Sequence, residues 1–330
     1  MKILLAALLP AFLACKHNDA STDTGGPVKD SAGTHILLAD PTIFYDSGTY
    51  YLYGTGGNTR GFLVYTSSDM QTWNGPAGVK DGYALVSGDA YGTQGFWAPQ
   101  VFKYGGKFYM AYTADEHIAI AESSSPLGPF RQKTLKPVSG PGKQIDPFVF
   151  MDEDGKKYLY HVRLQQGNRL FVARLKDDLS DILPETAKEC ITATDPWENT
   201  AHAPWPVTEG PTLLKHRGLY YLFYSANDFR NIDYAVGYAT APTPFGPWQK
   251  SADNPIISRH NTGHNGTGHG DFVRDTAGRL FYVLHTHRSD SAVSPRMTAL
   301  IEAAFREDGG AADVMTVDAG SFRYLFSPEK

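Results

Sequence analysis

The sequence predicts an all-β fold, a five-bladed β-propeller over residues 34–330. Three observations support that reading: 19 Tyr, 18 Phe and 5 Trp set among 33 Gly and 21 Pro, a motif that recurs five times, and scarce helical patterning. Aromatic residues suit pleated, half-buried strands, and Gly and Pro punctuate the turns between them.

The motif's first copy runs from Asp40 and Pro41 through Gly48 to Tyr53, the second from Ala98 and Pro99 through Gly106 to Tyr112. The third runs from Asp146 and Pro147 through Gly155 to Tyr160, and the fourth from Glu209, Gly210 and Pro211 through Gly218 to Tyr224. The fifth, from His269 and Gly270 through Gly278 to Leu284, lacks the proline. Pro41, Pro99, Pro147 and Pro211 are separated by 58, 48 and 64 residues. Each copy reads as a short apolar strand, a glycine turn and an aromatic strand, which is a β-hairpin. A third strand follows at 62–65, 118–121, 170–175, 235–238 and 297–305. Residues 299–305 would also suit a helix, but their place in the repeat favours a strand. A unit of this size with three or four strands is a propeller blade. No blade can bury both faces alone, so the five make one domain.

The formal charge of −5 and pI near 6.1 argue against a nucleic-acid surface, which needs a basic stripe. At the N-terminus, Lys2 precedes an almost entirely apolar run at 3–14 and then Cys15. The run is too short to span a bilayer as a helix and fits a secretory signal. Residues 12–15 resemble a bacterial lipobox, so 1–15 reads as a signal with a Cys that takes lipid, and 16–33 as a flexible tether. An ordinary cleaved signal is the alternative. The expected location is therefore the periplasm or cell surface, with membrane contact only through Cys15. Cys190 then has no disulfide partner and reads as a buried free thiol.

Propellers line their axis with the first strand of each blade. The starts of those strands carry Asp40, Trp97, Asp146, Glu209 and His269. Any one Asp-Pro pair is adequately explained as a turn cap. Three acids converging on one mouth repel each other, which favours a ligand, a metal or chemistry that uses them.

The set of motifs Asp40-Pro41, Trp97-Ala98-Pro99, Asp146-Pro147, Glu209-Gly210-Pro211 and Gly268-His269-Gly270, in this order, resembles glycoside hydrolase family 43. The turns at 126–130 and 244–248 are similar to that family's as well. The resemblance implies hydrolysis of glycosides with inversion, on arabinose-, xylose- or galactose-containing oligo- or polysaccharides. By position it makes Asp40 the general base, Glu209 the general acid and Asp146 the residue that tunes the acid. Inverting hydrolysis needs one protonated carboxyl for the leaving oxygen and one ionised carboxylate to activate water. A third carboxylate near Glu209 would keep that acid protonated by repulsion.

No cofactor is required by this chemistry. In relatives a histidine equivalent to His269 serves a calcium or sodium ion, held mostly through water; hydrogen bonding and acid catalysis are its other readings. The Arg288 guanidinium would hold a sugar hydroxyl and the base carboxylate together, or simply lie in an exposed loop. Trp97 and Phe96 would stack on a sugar face. Trp197, His202 and Trp205 occupy an insertion at 195–208 long enough to wall one side of the mouth, although core packing is the commoner fate of a tryptophan. A walled mouth makes a pocket, which favours exo action, as in an α-L-arabinofuranosidase or β-xylosidase, with an exo-β-galactosidase or galactanase behind them. The competing readings are a carbohydrate-binding lectin, a retaining fructan hydrolase and an inactive relative. The lectin reading fits poorly with mouth residues that differ from blade to blade.

Overall fold

The computed structural model describes residues 29–30, 33–57 and 59–328. The expected signal at 1–15, Cys15 and most of the tether at 16–33 lie outside the described residues. The described part of that segment, Lys29–Asp30, forms a short strand antiparallel to Gly33–His35.

Five sheets follow in sequence order. Blade 1 holds Ala39–Asp46, Thr49–Thr55 and Tyr65–Ser67, flanked by the pair Gly61–Leu63 and Tyr83–Val86. Blade 2 holds Trp97–Tyr104, Lys107–Ala114 and His117–Ser123. Blade 3 holds Gln144–Met151, Lys157–Leu164, Asn168–Arg174 and Lys188–Ile191. Blade 4 holds Thr208–His216, Leu219–Ala226, Ala235–Ala241 and Gln249–Lys250. Blade 5 holds Gly268–Arg274, Leu280–Thr286, Met297–Arg306 and Val314–Tyr324. Residues 299–305 are strand, paired on both sides.

Period-two alternation builds the ring. Along the second strand of blade 4, Leu222 and Tyr224 pack toward blade 3, while Tyr221 and Phe223 pack toward blade 5. Both faces of the strand are therefore apolar, and each needs a neighbouring blade to cover it. Among the described residues the core divides into five clusters, one at each blade junction. The junction of blades 5 and 1 closes the ring. There Gly33–His35 pairs with Phe326–Ser327, the Ile36 amide donates to the Leu325 carbonyl at 2.9 Å, and the Thr298 amide donates to the Ile36 carbonyl at 3.1 Å.

Every innermost strand is bulged at the motif. The pairing register slips between Ala39 and Thr42, Trp97 and Gln100, Ile145 and Phe148, Glu209 and Thr212, and Gly268 and Asp271. The residue at each slip has a left-handed backbone: Asp40 (φ 47°), Ala98 (45°), Asp146 (55°), Gly210 (59°) and His269 (40°). This conformation is costly for Ala and tolerated better by Asp and His. It turns the amide of each of these residues out of its own sheet toward the preceding blade. Ala98 donates to Thr55 Oγ1 (2.9 Å), Asp146 to Thr113 Oγ1 (2.9 Å), His269 to Ser225 Oγ (2.8 Å) and Asp40 to His285 Nδ1 (3.1 Å). Gly210 donates to the Asp146 carboxylate.

Leu325 is 1% exposed in the closure cluster. Leu325→Ala is expected to lower the unfolding free energy by about 2–5 kcal/mol. In urea, tryptophan fluorescence and far-UV circular dichroism should fall together, since opening the closure uncovers both flanking blades. Unfolding confined to one probe would show that the junction is independent of the ring.

Candidate active site

The mouth is assembled from one end of the blades. Starts of first strands, ends of second strands and starts of third strands all meet there, because neighbouring strands in a blade run antiparallel. Asp40, Asp146 and His269 occupy the bulge position itself. Glu209 precedes its bulge residue and is equivalent to Trp97, Ile145, Ala39 and Gly268. The five mouth residues anticipated from the motifs thus occupy two adjacent repeat positions. The spacing to Pro41, Pro99, Pro147 and Pro211 already carried that offset.

Asp40 is buried and surrounded by donors. Its Oδ2 accepts the Thr55 hydroxyl at 2.7 Å and its Oδ1 accepts Arg296 Nη1 at 3.0 Å. The Nδ1 atoms of His269 and His285 lie 3.3 and 3.4 Å from the same Oδ1. Burial alone would raise this carboxyl, but the Arg296 guanidinium, the two imidazoles and the hydroxyl together hold it well below the usual carboxylate range. Burial also keeps both imidazoles neutral, with pKa values lowered, His285 most strongly.

Glu209 sits in a different environment. Tyr234 donates to its Oε1 at 2.9 Å and Asn168 Nδ2 to its Oε2 at 3.0 Å. Burial pushes its pKa up to about 7, with Asp228 and Asp40 adding repulsion and the two hydrogen bonds opposing it. Asp146 is raised well above its ordinary value by burial, then by Glu209 and Asp40. Its Oδ2 lies 3.9 Å from His269 Nδ1 and accepts the Gly210 amide at 3.2 Å. Burial and repulsion therefore hold Asp146 and Glu209 both above the ordinary carboxylate range, beside an Asp40 that stays ionised.

Other residues singled out from sequence fall elsewhere. Phe96 is 1% exposed, stacked with Tyr112 and edge-on to Phe62; it is core, not a sugar wall. Trp97 is half-buried against the cluster between blades 3 and 4. The guanidinium on Asp40 belongs to Arg296 rather than Arg288. The Arg288 amide pairs with the Val293 carbonyl as the chain turns back toward Met297. Trp197 packs on Tyr224 at 5.8 Å within blade 4, and His202 is exposed on its loop. Trp205 is 41% exposed and donates its indole N–H to Asn168 Oδ1 at 3.0 Å, the same Asn168 that bonds Glu209. Cys190 has its thiol pushed up to about 12 by burial, which makes it inert.

The insertion is anchored from below. Glu198 is fully buried and accepts Tyr224 Oη at 2.6 Å, the Thr194 and Asp195 amides at 2.6 and 2.8 Å, and Lys250 Nζ at 2.5 Å. In the adjoining loop, which Asn227 and Asn231 tie to the insertion, Phe229 lies under the Arg296 guanidinium at 4.5 Å, and its carbonyl accepts His287 Nε2 at 2.8 Å.

The model of glycosyl hydrolases family 43 matches residues 34–310. The chain belongs to glycoside hydrolase family 43. Its structure is similar to that of an endo-1,4-β-xylanase from Bacteroides thetaiotaomicron, with 40% identity and a TM-score of 0.80 over 89% of this chain and 98% of that one. Among curated proteins it is 26% identical to the β-D-galactofuranosidase of Aspergillus niger, covering 93% of this chain and 91% of that protein. It is 27% identical to the xylosidase/arabinosidase 43A of Humicola insolens, covering 65% and 79%.

As a family 43 enzyme the protein hydrolyses glycosidic bonds, and its substrate is a carbohydrate. A calcium or sodium ion beside His269 would need hard oxygen ligands. Among the described residues no group of three or more His, Cys, Asp or Glu side chains is arranged to hold a metal ion, and no catalytic step is assigned to one.

Arg296 is the largest of the influences that lower Asp40. Arg296→Met should raise the Asp40 pKa by about 1–3 units, because the lost cation favoured the anion. Carbon-13 titration of the Asp40 carboxyl checks this; an unmoved value would assign the depression to the histidines and Thr55.

Proposed function

We propose that the protein is an inverting family 43 hydrolase in which Asp40 is the general base, Glu209 the general acid and Asp146 the carboxylate that tunes the acid. The observation that carries this reading is the asymmetry of the environments. Asp40 is held ionised by Arg296 and two imidazoles, whereas Glu209 is buried and titrates near 7. Hydrolysis by single displacement needs that pairing of an ionised and a protonated carboxyl. Asp40 would take a proton from water at the anomeric carbon, while Glu209 gives one to the departing oxygen.

Glu209→Gln and Asp40→Asn are expected to lower kcat by about 10²–10⁴-fold without loss of fold. In the wild type, kcat/KM should fall as pH rises through about 7, where Glu209 loses its proton. The acid side should hold until well below the ordinary carboxylate range. Proton NMR of the first product should show the anomer opposite to the substrate's. Near-wild-type turnover in Asp40→Asn removes the base assignment, and a retained anomer removes the single displacement.

For substrate, we infer exo action on an α-L-arabinofuranoside or β-xyloside. Trp205 supports it, standing half-exposed one residue, Asn168, away from the acid. It would give the leaving group or the adjoining sugar an aromatic surface. The relatives named for xylose, arabinose and galactofuranose widen the class, and the 40% identical endo-1,4-β-xylanase supports an endo reading as the alternative. Chromatography of early digests separates the two: a monosaccharide from the first minutes supports the pocket, and mixed oligosaccharides support an open groove.

Export through residues 1–14, with Cys15 as the lipidated first residue, completes the proposal. Among the described residues no helix is long and apolar enough to cross a membrane. Labelling of the membrane fraction with a fatty-acid analogue should disappear in Cys15→Ser; an unlabelled wild type would leave simple secretion.

A further inference from the structure

The ring of bulge amides has one irregular junction. At four junctions the amide donates to a side chain of the preceding blade: Thr55, Thr113, Ser225 or His285. Each of these acceptors stands opposite the residue that precedes its own blade's bulge: Ala39, Trp97, Glu209 and Gly268. The equivalent residue in blade 3, opposite Ile145, is Val162. It is fully buried and has no acceptor to offer. The Gly210 amide crosses instead to Asp146 Oδ2.

We propose that Val162 is a positioning residue for the reaction: by withholding an acceptor, it delivers the Gly210 amide to the Asp146 carboxylate and so fixes that group beside Glu209. A buried amide left without an acceptor keeps its desolvation penalty, so Gly210 bonds to what the junction provides. Only glycine fits this left-handed position, because a Cβ there would lie 2.7 Å from His269 Cγ. The peptide that joins Glu209 to Gly210 thus carries the acid on one side and the clamp on Asp146 on the other. This inference rests on the assignment of Glu209 and Asp146 as the acid and its tuning carboxylate.

Val162→Thr is the direct test, since it keeps the shape and restores the acceptor found at the other junctions. The Gly210 amide then has a second acceptor, and the Asp146 anion loses its donor. Losing a donor disfavours the anion, so Asp146 binds a proton more readily. Glu209 then faces less negative charge and releases its proton at lower pH. The alkaline limb of kcat/KM should move down by on the order of half a pH unit to one unit. Val162→Ala removes packing without adding an acceptor and should lower Tm while leaving the limb in place. In an Asp146→Asn background, Val162→Thr should shift nothing further.

The Gly210 amide resonance gives a readout independent of turnover. In the wild type it should titrate with Asp146, and in Val162→Thr that titration should shrink or vanish. If Val162→Thr does not fold, Val162→Ser carries the same acceptor in less volume. A folded hydroxyl variant with a wild-type limb and a fully titrating Gly210 resonance overturns the proposal, as does an equal shift in Val162→Ala. Absence of activity on every aryl glycoside would sink the proposed function, while the amide titration would still decide the role of Val162.

Discussion

One backbone constraint organises this molecule: a bulge at the start of each innermost strand leaves an amide that its own sheet cannot satisfy. A buried amide needs a partner, so each turns to the neighbouring blade. Blade-to-blade hydrogen bonds follow, made by the left-handed residues at the bulges, of which Asp40, Ala98 and His269 line the axial cavity. Asp40, Asp146 and His269 are held at the mouth by the same feature that ties the blades together. Strain at these positions persists because the surrounding ring over-determines it.

The chemistry depends on giving chemically similar acids unlike surroundings. Asp40 gathers Arg296, Thr55 and two neutral imidazoles around it. Glu209 has a phenol and an amide, groups that orient a carboxyl without a full positive charge to stabilise its anion. Arg296 reaches Asp40 directly and not Glu209, so the cation acts mainly on one side of the cavity. His285, beside Asp40, and Tyr234, bonded to Glu209, stack at 5.7 Å and so join the two environments.

The insertion between blades 3 and 4 finishes one side of the mouth, and the fold treats it as structure. The insertion carrying Trp205 is fastened by fully buried Glu198, whose negative charge is met by Lys250 and three further donors. Such a charge would be costly if unpaired. Asn227 adds bonds to the Trp197 carbonyl and the Thr200 amide. A wall held this firmly would present Trp205 to a sugar with little ordering left to do on binding.

The sequence by itself determined the number of blades, their order and the strands that carry Asp40, Asp146, Glu209 and His269. Those features are local: a proline, a glycine turn and an alternating strand are set by neighbours in the chain. The proline spacing even encoded the offset of Glu209 and Trp97 from the bulge. Only the tertiary structure decided which partner each acid receives. Arg296 meets Asp40 from 256 residues away, across the closure of the ring, where no periodicity in the chain could place it. Asn168, Tyr234 and Arg296 all lie at or just before the start of a third strand. A reading confined to the starts of first strands passed over them. The same holds for Phe96, which belongs to the core: one residue of register on a pleated strand separates the cavity from the packing beneath it.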